Sequence, residues 1–174
     1  MPKPKRVALL VGQQFEDMEV LYPYYRLLEA GFAVDVIGED EPGTKYLGKY
    51  GYPILSTLRV DKAKAESYSG LIAPGGWAPD RLRRNPKILK LVKDIDRKGG
   101  VIASICHGPW ILISAEVVKG KNMTSTLALK DDLTNAGARW RDAEVLVDGR
   151  MVTSRKPDDL PAFMREMLAL LEKS

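Results

Sequence analysis

Two hydrophobic rhythms alternate along this chain. Short, mainly apolar runs of strand type fall at 6–11, 33–37, 58–60, 70–73 and 101–106. Between them lie stretches in which apolar residues return at helical spacing. The spacing predicts a helix over 16–30, with Val20, Tyr24, Leu27 and Leu28 on one face, Gly31 as its stop, and Pro23 inside it forcing a kink or a late start. Segment 45–56 reads as a short β excursion and 61–67 as a short helix. Two helical pieces follow at 79–84 and 86–98, the second with Ile88, Leu91, Val92 and Ile95 turned inward. Further on come a helical pattern from Trp110, a helix over 129–136, and a hairpin from 144–147 and 151–154 around Asp148-Gly149. A last helix spans 158–173, with Leu160, Phe163, Met164, Met167, Leu168 and Leu171 as its stripe. Strands alternating with helices predict a three-layer α/β sandwich with a mostly parallel central sheet, occupying 1–174 as one domain.

Composition narrows the function classes. Apolar content of 45% and charged content of 29% are ordinary for a water-exposed globular protein. No apolar run has the length of a membrane span, and the apolar run after the basic N-terminal residues 1–6 is too short for a signal peptide, so a cytoplasmic protein is expected. The formal charge is +4, but 27 basic residues are interspersed with 23 acids and form no long block, so neither nucleic acid nor a membrane is expected as a partner. A single cysteine and a single histidine exclude an internal disulfide and argue against zinc and other catalytic metal sites, and no cofactor fingerprint is present.

Those two residues are neighbours, Cys106 and His107, at the end of an apolar run and immediately before Gly108-Pro109. Strand, sharp turn and helix is the layout of a nucleophile elbow. Unpaired N–H groups at the helix start favour a thiolate, and the alternative is a buried structural cysteine. In a parallel sheet, chemistry gathers at the C-terminal strand ends, which brings in the loops at 13–16 and 74–80. Cys106 is the candidate nucleophile and His107 the candidate base. Asp80 is the candidate carboxylate to orient the histidine, from this or another subunit, unless it caps a helix or pairs with an arginine. Glu16 is the candidate proton shuttle beside the sulfur. The N–H groups of Gly76 and His107 would form the oxyanion hole.

The segments Ala103-Ser104-Ile105-Cys106-His107-Gly108-Pro109, Phe15-Glu16-Asp17-Met18-Glu19 and Pro74-Gly75-Gly76-Trp77-Ala78-Pro79-Asp80 resemble those of the PfpI family of intracellular cysteine peptidase-like proteins. So do Lys130-Asp131-Asp132 with Asn135-Ala136-Gly137, and Val147-Asp148-Gly149. The resemblance implies a flavodoxin-like fold of the class I glutamine amidotransferase-like superfamily. It implies homo-oligomers, dimers or hexameric rings, with an acid from a neighbouring subunit completing the Cys-His pair. It implies a glutamate beside the cysteine, matched to Glu16, and points first to a cysteine hydrolase of the intracellular peptidase type, with cofactor-free glyoxalase or deglycase activity on methylglyoxal or its adducts as the alternative. Asp80 stands where family peptidases carry glutamate, and Thr126 where many members carry tyrosine. A non-enzymatic redox-sensing or protective role for Cys106 is the reading from a different class.

Overall fold

The computed structural model describes residues 4–173; Met1 to Lys3 of the basic N-terminal run, and Ser174, lie outside the described residues. The strands are β1 (Arg6–Leu10), β2 (Ala33–Gly38), β3 (Lys45–Leu47), β4 (Pro53–Leu55), β5 (Leu58–Arg59), β6 (Gly70–Ala73), β7 (Val101–Ile105), β8 (Asn122–Met123), β9 (Arg139–Trp140), β10 (Val145–Asp148) and β11 (Met151–Ser154). The helices are α1 (Asp17–Glu29), α2 (Ala78–Leu82), α3 (Pro86–Arg97), α4 (Pro109–Ser114), α5 (Lys130–Asn135) and α6 (Leu160–Glu172).

Seven strands form the central sheet in the order β10-β11-β7-β6-β1-β2-β5. Every pairing in it is parallel except β10 on β11, the expected hairpin. The inner strands are apolar at nearly every position because both faces are covered: β6 and β7 are buried throughout, and β1 is buried from Val7 onward. On one side α6 packs against β7, β11 and α1; α3 packs on β6 and β7 and against α4, which meets α2. The result is a flavodoxin-like helix–sheet–helix sandwich. The stripe of α6 is core, with Phe163, Met167 and Leu171 at 0% exposure, and α3 buries the four residues its spacing indicates. Among the described residues no helix is long and apolar enough to cross a membrane.

Several local expectations are corrected. The helix expected over 61–67 is two separate 3-10 turns, Val60–Lys62 and Ala65–Ser67, because Ala63 and Lys64 are extended between them. Helix α1 starts at Asp17, without a late start, and Pro23 sits inside it, where its missing N–H leaves the Glu19 carbonyl without the usual partner. The pairing of β8 with β9 has no strand-length signal in the sequence.

The excursion at 45–56 is the hairpin β3–β4, and it matters for the site. Its turn is bound to the start of α1. The Asp17 carboxylate accepts hydrogen bonds from the backbone N–H of Tyr50 (3.0 Å) and Tyr52 (3.1 Å), and the Lys49 N–H donates to the Phe15 carbonyl (2.8 Å). Gly48 lies so close over Asp17 that a β-carbon there would run into its carboxylate. Lys49 is thereby delivered to the C-terminal edge of the sheet.

Candidate active site

Strand β7 runs fully buried to Ile105, and the chain then reverses into α4 with Pro109 as the first helical residue. The turn residue is Cys106, whose φ of 61° is a left-handed conformation that side-chain-bearing residues seldom adopt. The Cys106 N–H donates to Ser154 O (3.1 Å), and the Cys106 carbonyl accepts from Thr126 N–H (3.2 Å). Packing thus over-determines a strained backbone that lifts the thiol out of the sheet, an arrangement concentrated at functional sites. The sulfur is half-buried rather than sealed in the core.

Four groups converge on Sγ. The His107 Nδ1 atom lies 3.2 Å away. The backbone N–H groups of His107 and Gly76 both point at the sulfur. Gly76 can do so because its φ of 80° turns the loop after β6 in a way glycine tolerates. The fourth group is Glu19. Its carboxyl is fully buried beside the Cys106 thiol; Oε2 accepts from Gly75 N–H at 2.7 Å, while Oε1 has no hydrogen-bond partner among the described residues. The fit around Gly75 is tight: a β-carbon there would stand 2.6 Å from Glu19 Oε2 and 2.8 Å from the Cys106 β-carbon.

Burial dominates the electrostatics. It raises the Glu19 carboxyl from 4.5 to about 8, aided by the nearby Glu16 charge and opposed by the Gly75 N–H. Burial and an ionised Glu19 also push the Cys106 thiol up, to about 12, while the His107 and Gly76 N–H groups pull it down. The Glu19 contribution exists only when that carboxyl carries charge, so the two titrations are coupled and at neutral pH both groups keep their protons. The protonated carboxyl can donate to the sulfur. Burial, then the Lys49 charge, holds the His107 imidazole below its ordinary value, leaving it neutral and able to accept a proton. Helix α4 has only six residues, so local N–H groups rather than a long helix dipole supply the positive field.

Cys106, His107 and Gly76 are therefore brought together at the elbow. Glu16 does not join them. It sits at the extended position before α1, and its carboxylate pairs with Lys49 Nζ at 3.0 Å. Glu19 takes the place beside the sulfur, one turn further on, because side chains in the first turn of a helix lean back toward its N-terminus. The signal was available: with the helix beginning at Asp17, a glutamate at 19 is carried over the strand ends, whereas its charge suggests only a helix-start acid. Asp80 does not reach His107 within this chain. Its side chain is 63% exposed and pairs with Arg84 at 3.1 Å, the alternative left open above. Thr126 lies beside the elbow and lines a small cavity of about 240 Å³ with Ser125, Leu127, Trp140, Asp142, Arg155 and Lys156. Among the described residues no three His, Cys, Asp or Glu side chains are gathered to hold a metal.

A flavodoxin-like sheet with a strained cysteine at the elbow and a buried glutamate against its sulfur defines a class of cysteine-centred α/β proteins. The chain belongs to the DJ-1/PfpI family, whose profile matches residues 5–170. It is 47% identical over 167 residues to "Deglycase PH1704" of Pyrococcus horikoshii, covering 96% of this chain and 99% of that one. It is 40% identical over 168 residues to "Putative cysteine protease YraA" of Bacillus subtilis, covering 97% and 99%. Among solved structures it matches a two-domain protein from Anabaena variabilis with DJ-1/ThiJ/PfpI-like and ferritin-like domains, at a TM-score of 0.94 and 38% identity. That match covers 97% of this chain and 48% of the other, so the chain spans about half of that two-domain protein.

Proposed function

We propose that this protein is a cofactor-independent enzyme that processes α-oxoaldehydes or their adducts with amines, a glyoxalase or deglycase type of chemistry. The observation that carries the reading is the Glu19 carboxyl, buried beside the Cys106 thiol, raised to about 8, and with one oxygen left without a hydrogen-bond partner among the described residues. Such a carboxyl is a proton carrier next to a nucleophile. The deglycase name of the Pyrococcus horikoshii relative supports the same reading.

With methylglyoxal, the Cys106 sulfur forms a bond to the aldehyde carbon as its thiol proton passes to His107 Nδ1. The carbonyl oxygen, held by the Gly76 and His107 N–H groups, takes the proton of Glu19 and becomes a hydroxyl. The Glu19 carboxylate then removes the hydrogen from the same carbon, and the electron pair moves to the ketone oxygen, giving an enediolate. Glu19 returns the proton to the second carbon while the hydroxyl proton passes to the second oxygen. A 2-hydroxyacyl thioester results. Water cleaves it as the Glu19 carboxylate accepts the water proton and His107 returns its proton to the departing sulfur, restoring the thiol and releasing lactate with one proton. One carbon is oxidised and its neighbour reduced, so methylglyoxal and water balance to lactate without an outside electron carrier. In an adduct, the sulfur displaces the amine nitrogen, which leaves with the proton from Glu19.

The test is methylglyoxal consumption with lactate release. Cys106→Ser is expected to abolish it, and Glu19→Gln to reduce it at least a hundredfold while leaving the thiol open to alkylation. Turnover unaffected by Glu19→Gln refutes the reading. A peptidase reading is favoured by one observation: Asp80 stands exposed on α2, available to a His107 of another copy. Peptide cleavage that is lost in both Cys106→Ser and Asp80→Ala, in an oligomer, would select it.

A further inference from the structure

The indole of Trp110, on the first turn of α4, lies against the imidazole of His107 with ring centroids 5.2 Å apart and planes tilted by 58°. It is held from three elements. Its Nε1 donates to the Asp132 carboxylate of α5 at 2.8 Å. The Arg83 guanidinium, at the end of α2, sits 5.6 Å over the same ring and is itself tied to Ser114 through Nε (2.9 Å). Its own N–H donates to the His107 carbonyl at 3.1 Å. The His107 ring, by contrast, has the Cys106 sulfur as its only hydrogen-bond partner among the described residues. A half-buried imidazole with a single soft contact to sulfur is free to rotate about χ1 unless a neighbour blocks the other rotamers.

We propose that Trp110 is a positioning residue: its clamped indole holds the His107 ring with Nδ1 against the Cys106 sulfur and Nε2 turned away from it. This rests on the reading that Cys106 and His107 do the chemistry. The clamp explains why a large aromatic residue lies half-buried at the mouth with its N–H committed to an acid. Edge and face contacts between aromatic rings are enough to keep one rotamer dominant by roughly twofold to tenfold. The titratable and charged groups around His107 are Cys106 on its own elbow, Glu19 of α1 across the sulfur, Lys49 from the β3–β4 hairpin and, beyond the indole, Arg83 and Asp132.

The experiment uses the full chain and iodoacetamide, which reads the Cys106–His107 contact with no substrate. Alkylation is followed from pH 5 to 9 in the parent, Trp110→Ala, Trp110→Phe and Asp132→Asn, with far-ultraviolet circular dichroism to confirm folding. The His107-linked inflection is expected to vanish in Trp110→Ala, with a rate fall of about tenfold at pH 7. Trp110→Phe should keep the inflection and Asp132→Asn weaken it. Methylglyoxal kcat should follow alkylation while KM stays within twofold. Trp110 emission, taken as the difference between parent and Trp110→Phe, should be quenched as His107 gains its proton, and His107→Gln should remove that quenching. Alkylation profiles unchanged in folded Trp110→Ala overturn the proposal. Should that variant not fold, parent-like profiles in both Asp132→Asn and a Trp110→Phe protein whose emission difference ignores His107→Gln overturn it. Absence of methylglyoxal turnover in the parent would refute the proposed function and leave the alkylation test standing.

Discussion

Replacing Glu19 by glutamine should make the protein more stable at alkaline pH, although it damages the site. The structure supplies the magnitude. In the unfolded chain the carboxyl ionises near 4.5; in the folded protein burial holds the proton until about 8. Between these values the folded state binds a proton that the unfolded state has lost, so stability falls as pH rises, by about 1.4 kcal/mol per pH unit. The full window of about 3.5 pH units gives a loss of about 5 kcal/mol, large against the 5–15 kcal/mol of a typical domain. Glutamine is isosteric, keeps an acceptor for the Gly75 N–H, and has no proton to lose. Urea unfolding at fixed protein concentration, at pH 5, 7 and 9, measures the difference. The parent should lose several kcal/mol between pH 5 and 9 that Glu19→Gln retains. Repeating both on Cys106→Ser removes titration of the thiol from the comparison. Parallel pH dependence of Glu19→Gln and parent would show that Glu19 is ionised in the folded protein, and the proton-shuttle role would fall with it.

Two other perturbations follow from the geometry. Gly75→Ala forces a β-carbon into the contact between Glu19 and Cys106; it should cost about 1–3 kcal/mol in urea unfolding and remove turnover, whereas undiminished turnover would mean the loop is not packed against the sulfur. Asp17→Ala unties the hairpin from α1; stability should fall by about 1–3 kcal/mol, and the Tyr50 and Tyr52 amides should lose protection in hydrogen exchange while those of β7 keep theirs.

The sandwich was legible because its inner strands are buried on both faces and so appear as mainly apolar runs, as from Val101 to Ile105. The elbow was legible because one cysteine and one histidine stood together before Gly-Pro. The glutamate was harder. Phe15 to Glu19 holds two glutamates and an aspartate, and which one reaches the sulfur depends on where α1 begins, a matter of one residue that local preference does not decide. Asp17 illustrates the same difficulty: as an acid near a helix start it looks ordinary, yet it is nearly buried under a distant hairpin. Trp110 was visible only as an apolar residue of helical pattern; its contact with His107 depends on Asp132 and Arg83, which arrive from other parts of the chain.

The way the β3–β4 hairpin is fastened has a consequence for how its surface can diversify. Asp17 grips main-chain N–H groups, not the phenol rings of Tyr50 and Tyr52, and both rings stand out in solvent. The grip therefore does not depend on which side chains occupy positions 50 and 52. Those two side chains can be exchanged without loosening the hairpin from α1: a laboratory library confined to them would vary this exposed surface while leaving Lys49 on Glu16 and the elbow undisturbed.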